Sequence, residues 1–160
     1  MIVDILESSG VDIVLSLPCN ILAGIIAEIE NRSMKHIPVC REEEGVGIAA
    51  GAALAENRPV LLMQNSGLGN SVNAIMSLTS LYRLPLFIMM SHRGEMGEKI
   101  SAQVPMGKTA PLLFDAMNIG FLSVSSKVQL SELESFIKTT FNTRKINAAF
   151  LSRNLWHETS

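Results

Sequence analysis

The chain has 160 residues, 48% of them hydrophobic and 18% charged, with a formal net charge of −2. That is enough chain for one domain with a real core, and it offers no electrostatic case for nucleic acid or an anionic membrane. Aromatic residues make up 5%, too few for base-stacking platforms, and no apolar run approaches the roughly 18 residues of a membrane span.

Apolar, β-rich runs alternate with helical patterns along the chain. Ile2–Ser8 reads as an opening helix, Asp12–Leu17 as a strand and Asn20–Asn31 as a helix with Asn20 as its N-cap. His36–Cys40 is a short strand before a helix over Glu42–Asn57. Val60–Gln64 is a strand, then Gly69–Tyr82 a helix. Leu86–Met90 is a strand followed by a long loop from Ser91 to about Val104. Met106–Met117 reads as a helix, Phe121–Val124 as a strand, Leu130–Thr143 as a helix and Ala148–Leu151 as the last strand. This alternation predicts an α/β fold: a doubly wound, mostly parallel sheet of about six strands with helices on both faces. No linker composition divides residues 1–160, so one domain is expected.

Cys19 and Cys40 suggest neither a disulfide framework nor metal-ligand spacing. They read as two reduced thiols of a cytoplasmic protein. The N-terminus lacks a basic segment followed by a long apolar run, so no signal peptide is expected.

Ligands of such sheets bind beyond the carboxyl ends of the strands. Four loops are expected there: Ser16–Asn20, Cys40–Glu44, Gln64–Asn73 and Ser91–Gln103. Arg41-Glu42-Glu43-Glu44-Gly45-Val46-Gly47 puts carboxylates at a helix entry, where the dipole favours them. Glycine and alanine then fill the helix through Ala53, more glycine than helix propensity would select. The stretch fits either a tightly packed core helix with a solvated acidic start or a helix that something large approaches closely. Gln64–Asn73 is glycine-rich, follows a strand and opens a helix, so it could receive an anion or simply form a capped turn. It lacks the Gly-Lys-Ser/Thr of a phosphate-binding loop and the spacing of a dinucleotide fingerprint. In Ser91–Lys99, Arg93 is the side chain best shaped for a multi-oxygen anion, although an ordinary solvated loop would carry the same residues.

Together these residues resemble the pyrimidine-binding (PYR) domain of thiamine diphosphate-dependent decarboxylases. That family places a glutamate before small residues in the pattern Glu-x4-Gly-x-Ala-x-Gly-x-Ala. Here Glu42 precedes Gly47, Ala49, Gly51 and Ala53, while Glu43 and Glu44 fall outside the register. Gln64–Asn70 and the segment from Arg93-Gly94-Glu95 to Met106-Gly107 are similar to the branch acting on sulfopyruvate and phosphonopyruvate. The short chain is similar to that branch's separate PYR subunits.

The resemblance implies a PYR-type thiamine diphosphate-binding fold. It makes Glu42 the catalytic group, hydrogen-bonded to the pyrimidine N1′ so that the imino tautomer can remove the thiazolium C2 proton. Ser66, Gly67 and Asn70 are implied on the cofactor, and Asn20, Arg93 and Gln103 on a small 2-keto acid. The implied reaction turns 3-sulfopyruvate into sulfoacetaldehyde and CO₂, a step toward coenzyme M. The family holds the diphosphate through Mg²⁺ on a second domain marked by Gly-Asp-Gly, which this sequence lacks. A β subunit is therefore expected to carry that domain and the Mg²⁺, with self-association through PYR domains and no metal ligand on this chain. The alternatives are a split phosphonopyruvate decarboxylase, a non-catalytic partner-stabilising domain and a flavodoxin-like nucleotide binder using Gly67–Asn70.

Overall fold

The computed structural model describes residues 1–157. Six strands form one sheet: β1 (Ile13–Ser16), β2 (Lys35–Pro38), β3 (Pro59–Gln64), β4 (Leu86–Ser91), β5 (Gly120–Val124) and β6 (Ile146–Leu151). Their spatial order is β2-β1-β3-β4-β6-β5, and every neighbouring pair is parallel. The helices are α1 (Ile2–Ser8), α2 (Ala23–Ile29), α3 (Glu42–Leu54), α4 (Leu68–Ala74), α5 (Val104–Ala116), α6 (Leu130–Asn142) and α7 (Asn154–His157).

The central strands are apolar on both faces because helices cover both. Val60, Leu62, Phe87, Met89, Ala149 and Leu151 pack with α1, α2 and α6. Their chain neighbours Leu61, Met63, Ile88, Met90, Ala148 and Phe150 pack with α3, α4 and α5 on the other side. This period of two in the direction of burial follows from the strand pleat. Strand order runs outward in opposite directions from β1 and β3, so the crevice beyond their carboxyl ends is a topological switch point.

Several local expectations shift. The second helix begins at Ala23 rather than Asn20: Leu22 N–H bonds to Cys19 O and Ala23 N–H to Asn20 O, so a turn occupies the expected first residues. Asn20 therefore does not act as an N-cap. The sheet is wholly parallel rather than mostly so. Helix α4 continues into a π-helical segment, Ile75–Ser80, where Thr79 Oγ1 donates back to Ile75 O at 2.9 Å. The loop after β4 closes into a 3₁₀ turn, Ser101–Gln103, and α5 starts two residues earlier than expected.

Candidate functional site

At the carboxyl ends of the strands the four expected loops are bonded into one surface. Asn70 Nδ2 donates to Glu42 Oε2 at 3.2 Å, joining α4 to the start of α3. Gln64 Nε2 donates to Ser66 Oγ and, at 3.0 Å, to Gln103 Oε1, joining the end of β3 to the turn before α5. Asn65, fully buried, accepts the Arg93 N–H at 2.9 Å and donates to the Arg93 carbonyl at 2.9 Å. Cys19 Sγ lies 3.3 Å from Ser91 Oγ, joining the loop after β1 to the end of β4.

The three carboxylates that open α3 meet three different partners. Glu44 Oε2 accepts the Cys40 N–H at 2.9 Å and Glu43 pairs with Arg41 at 3.0 Å. Glu42 turns toward the turn after β3, where its carboxyl group lies over Gly67, so closely that a Cβ on Gly67 would overlap it. Gly67 has an ordinary helical φ of −72°, so close approach, not conformation, requires glycine there. Glu42 is half-buried, and among the described residues its Oε1 meets no hydrogen-bond partner. Helix α3 sits tight on the sheet because Gly45 faces Leu61 and Val39.

Arg93 lies in this surface with its guanidinium held in a two-pronged pair: Nε donates to Glu98 Oε2 at 2.7 Å and one terminal nitrogen to Oε1 at 2.9 Å. Glu98 is nearly buried, with 2% side-chain exposure against 15% for Arg93. The Glu98 carboxylate also accepts the Ile100 N–H at 3.0 Å and the Gly94 N–H at 3.3 Å. The Arg93 hydrogen bonds, with the Ile100 and Gly94 amides, hold its carboxyl far below the usual carboxylate range. The Arg93 guanidinium is raised in turn, chiefly by the bond to Glu98. Two of its nitrogens are therefore committed within the loop, and Nη1 makes no hydrogen bond among the described residues.

The loop is pinned to α5 at Gly94, which has φ +86°. A Cβ there would collide with the Gln103 carbonyl and Gly107 Cα, and one on Gly107 would collide with the Arg93 carbonyl. Pro111 lies inside α5 and has no N–H to give the Gly107 carbonyl. His92 Nε2, 3.2 Å away, fills that role, while its Nδ1 faces Glu95 Oε1 at 3.2 Å. The ring also lies against Phe150 at a centroid distance of 4.7 Å.

Asn20 stands apart from the rest. It is exposed, its side chain makes no hydrogen bond among the described residues, and it lines a cavity of about 570 Å³ with Ser16, Cys19, Ala23, His36 and Pro38. Glu42, Arg93 and Gln103 do not line that cavity. Beside it, Ser16 Oγ is 2.8 Å from His36 Nε2, whose Nδ1 is 3.5 Å from Glu30 Oε1. No such constellation was evident in the sequence spacing. Ser16 is 2% exposed, so the arrangement ties β1 to β2 and does not present a nucleophile.

Gln64, Asn65 and Glu98 fall in loops expected at this surface, but the sequence reading assigns none of them a role in the site. Gln64 and Asn65 could have been noticed as polar residues ending an otherwise apolar strand, and Glu98 as a carboxylate five residues after Arg93.

Comparison with known proteins bears on the family and the fold. The family described as "Thiamine pyrophosphate enzyme, N-terminal TPP binding domain" matches residues 1–109. The sulfopyruvate decarboxylase subunit alpha of Methanothermobacter thermautotrophicus is 39% identical over 94% of this chain and 93% of its own length. The Methanococcus maripaludis subunit of the same name is 49% identical over 72% of this chain and 70% of its own. A phosphonopyruvate decarboxylase of Streptomyces hygroscopicus is 35% identical over 61% of this chain and 25% of its own. Among solved structures, benzoylformate decarboxylase from Polynucleobacter necessarius superposes with a TM-score of 0.67 at 16% identity, over 94% of this chain and 28% of that enzyme, which supports the fold. The chain belongs to the thiamine pyrophosphate enzymes and carries their N-terminal TPP-binding domain.

Proposed function

We propose that this chain is the α subunit of a sulfopyruvate decarboxylase, a carbon–carbon lyase that converts 3-sulfopyruvate to sulfoacetaldehyde and CO₂ together with a β subunit. The observation that carries the reading is the Glu42 carboxyl group, oriented by Asn70 over Gly67 with one oxygen free to accept or hold a proton. The donor set fits thiamine diphosphate: a half-buried carboxylate, held by Asn70 against the turn after β3, can bond a nitrogen at the edge of the pyrimidine ring. Bound there, the cofactor supplies the electron sink for loss of CO₂ from a 2-keto acid.

In this reading Glu42 holds the proton at the pyrimidine N1′. Asn70 fixes the carboxylate's direction, Gly67 lets it lie close over the turn, and Ser66, tied to Gln64, shapes the same turn. Arg93 offers Nη1, and Gln103 its amide, to the carboxylate and sulfonate of the substrate.

Residues 1–160 act as one PYR-type domain. Among the described residues no three His, Cys, Asp or Glu side chains gather to hold a metal ion, and Mg²⁺ with the diphosphate belongs to the β subunit. Self-association through PYR domains is supported by the outer face of α3, where Gly47 and Gly51 meet open space beside exposed Leu54, and by exposed Leu81 and Tyr82. Cys19 and Cys40 are free thiols, and among the described residues no helix is long and apolar enough to cross a membrane. The free thiols fit a cytoplasmic enzyme.

The sulfopyruvate decarboxylase alpha subunits match with higher identity and cover more of the chain than the phosphonopyruvate enzyme, which favours a sulfonate substrate. The test is CO₂ release from each substrate by this chain, its β partner, thiamine diphosphate and Mg²⁺, with each component omitted in turn. Sulfopyruvate turnover that needs every component is expected. Preference for phosphonopyruvate would reassign the substrate, and no turnover by a verified complex would overturn the enzyme.

A further inference from the structure

A second site lies at the opposite end of the sheet. The amino ends of β4, β5 and β6 are entered from three helical segments: the π-helical Ile75–Ser80, α5 and α6. Each ends in a left-handed residue, Arg83 with φ 52°, Asn118 with φ 55° and Arg144 with φ 51°. Between these three turns is a cavity of about 630 Å³. Six-residue strands separate it from the Glu42 surface by about 20 Å.

The cavity is lined by three cations, Arg83, Arg144 and Lys145, and by no carboxylate. Four cations elsewhere, Arg32, Arg41, Arg93 and Lys138, each meet a carboxylate. Among the described residues, the side chains of Arg83, Arg144 and Lys145 make no ion pair or hydrogen bond. The hydroxyl of Ser80 and the amide of Asn118, which share the lining, are also unused.

Helix carboxyl ends favour cations through their dipoles and their orphan carbonyls. Here the carbonyls already have partners from the backbone. Leu84 N–H bonds to Thr79 O at 2.9 Å, Ile119 N–H to Phe114 O at 2.9 Å and Lys145 N–H to Thr140 O at 3.0 Å, the six-to-one closure of a Schellman turn. The guanidinium and ammonium groups therefore remain available to something else. Three like charges around one concavity, in a chain of net charge −2, concentrate a positive potential at a single spot. Arginine forks suit the oxygens of carboxylate, phosphate and sulfonate groups. Buried Met117 lends the floor an apolar surface for a carbon skeleton.

We propose that this cavity binds a small organic anion carrying two or more negative charges, at a site separate from the Glu42 surface.

The test is calorimetric titration of the full chain with citrate at low salt. The informative variant is the double substitution Arg83→Gly with Arg144→Gly, since glycine suits a left-handed turn and the fold is kept. The control removes two unpaired cations elsewhere, Lys35→Ala with Lys108→Ala. Wild type and control are expected to show one saturable site, weakened by added salt. The Arg83/Arg144 variant, with an unchanged unfolding midpoint or a higher one, is expected to bind at least about tenfold more weakly. No saturable binding to wild type, an affinity within twofold in the Arg83/Arg144 variant, or an equal loss in the lysine control would overturn the site.

Discussion

The Glu42 carboxyl group occupies the space that a side chain on Gly67 would need. Gly67→Ala therefore pushes the carboxylate away from its place, while the ordinary φ of −72° at Gly67 leaves the backbone unstrained. The reconstituted enzyme should lose about 10²-fold in kcat/KM, the scale of a misplacement of roughly 1 Å. Gly69→Ala, with nothing near its added methyl group, should keep activity in the same assay. Equal effects of the two substitutions would remove Glu42 from the explanation.

His92 serves the Gly107 carbonyl that Pro111 leaves unpaired. His92→Phe keeps the ring against Phe150 but removes the donor, and should cost about 1–3 kcal/mol in urea unfolding. In a Pro111→Ala background the new N–H reaches Gly107 and that cost should shrink. A double-mutant cycle reads the difference, and additive effects would disprove the link.

Glu98 is held below its unfolded pKa of 4.5 by Arg93 and two backbone amides. A depressed carboxylate contributes stability that is fully present above the unfolded value and is lost as pH falls through the folded one. Glu98→Gln should thus be destabilised near neutrality, and the gap to wild type should close as pH drops below about 4.5. Thermal unfolding from pH 7 to pH 3 checks this. A gap that stays constant with pH would mean that the carboxylate charge plays no part.

Gly51 faces open space on α3. Gly51→Leu should leave the isolated chain folded with an equal or higher unfolding midpoint, because glycine weakens a helix interior. If α3 packs against another PYR domain, the same substitution should abolish self-association in sedimentation velocity. A variant that assembles like wild type would place the interface elsewhere.

Much of the fold was readable because the apolar runs of β3, β4 and β6 sit between helical patterns and are buried on both faces. The insertion of β6 between β4 and β5 was not readable, since strand order is decided by tertiary packing. The family pattern the chain resembles separates Glu42 from Glu43 and Glu44, but its closeness to Gly67 depends on how α3 meets the turn after β3. The commitment of Arg93 to Glu98 was hidden because Gly94 and Gly97, both left-handed, fold that loop back on itself. Asn20 looked like a cap by residue type, yet the turn at Cys19–Ala23 delays the helix past it.

The most direct test of the account is Glu42→Gln in the reconstituted α/β enzyme, read as CO₂ release from sulfopyruvate with saturating thiamine diphosphate and Mg²⁺. Glutamine keeps the size and the contact with Gly67 but cannot exchange a proton with the ring. A fall of about 10²–10⁴-fold in kcat, with the complex intact, is the predicted result. Activity equal to wild type would contradict the assignment of Glu42 and with it the catalytic reading of this surface.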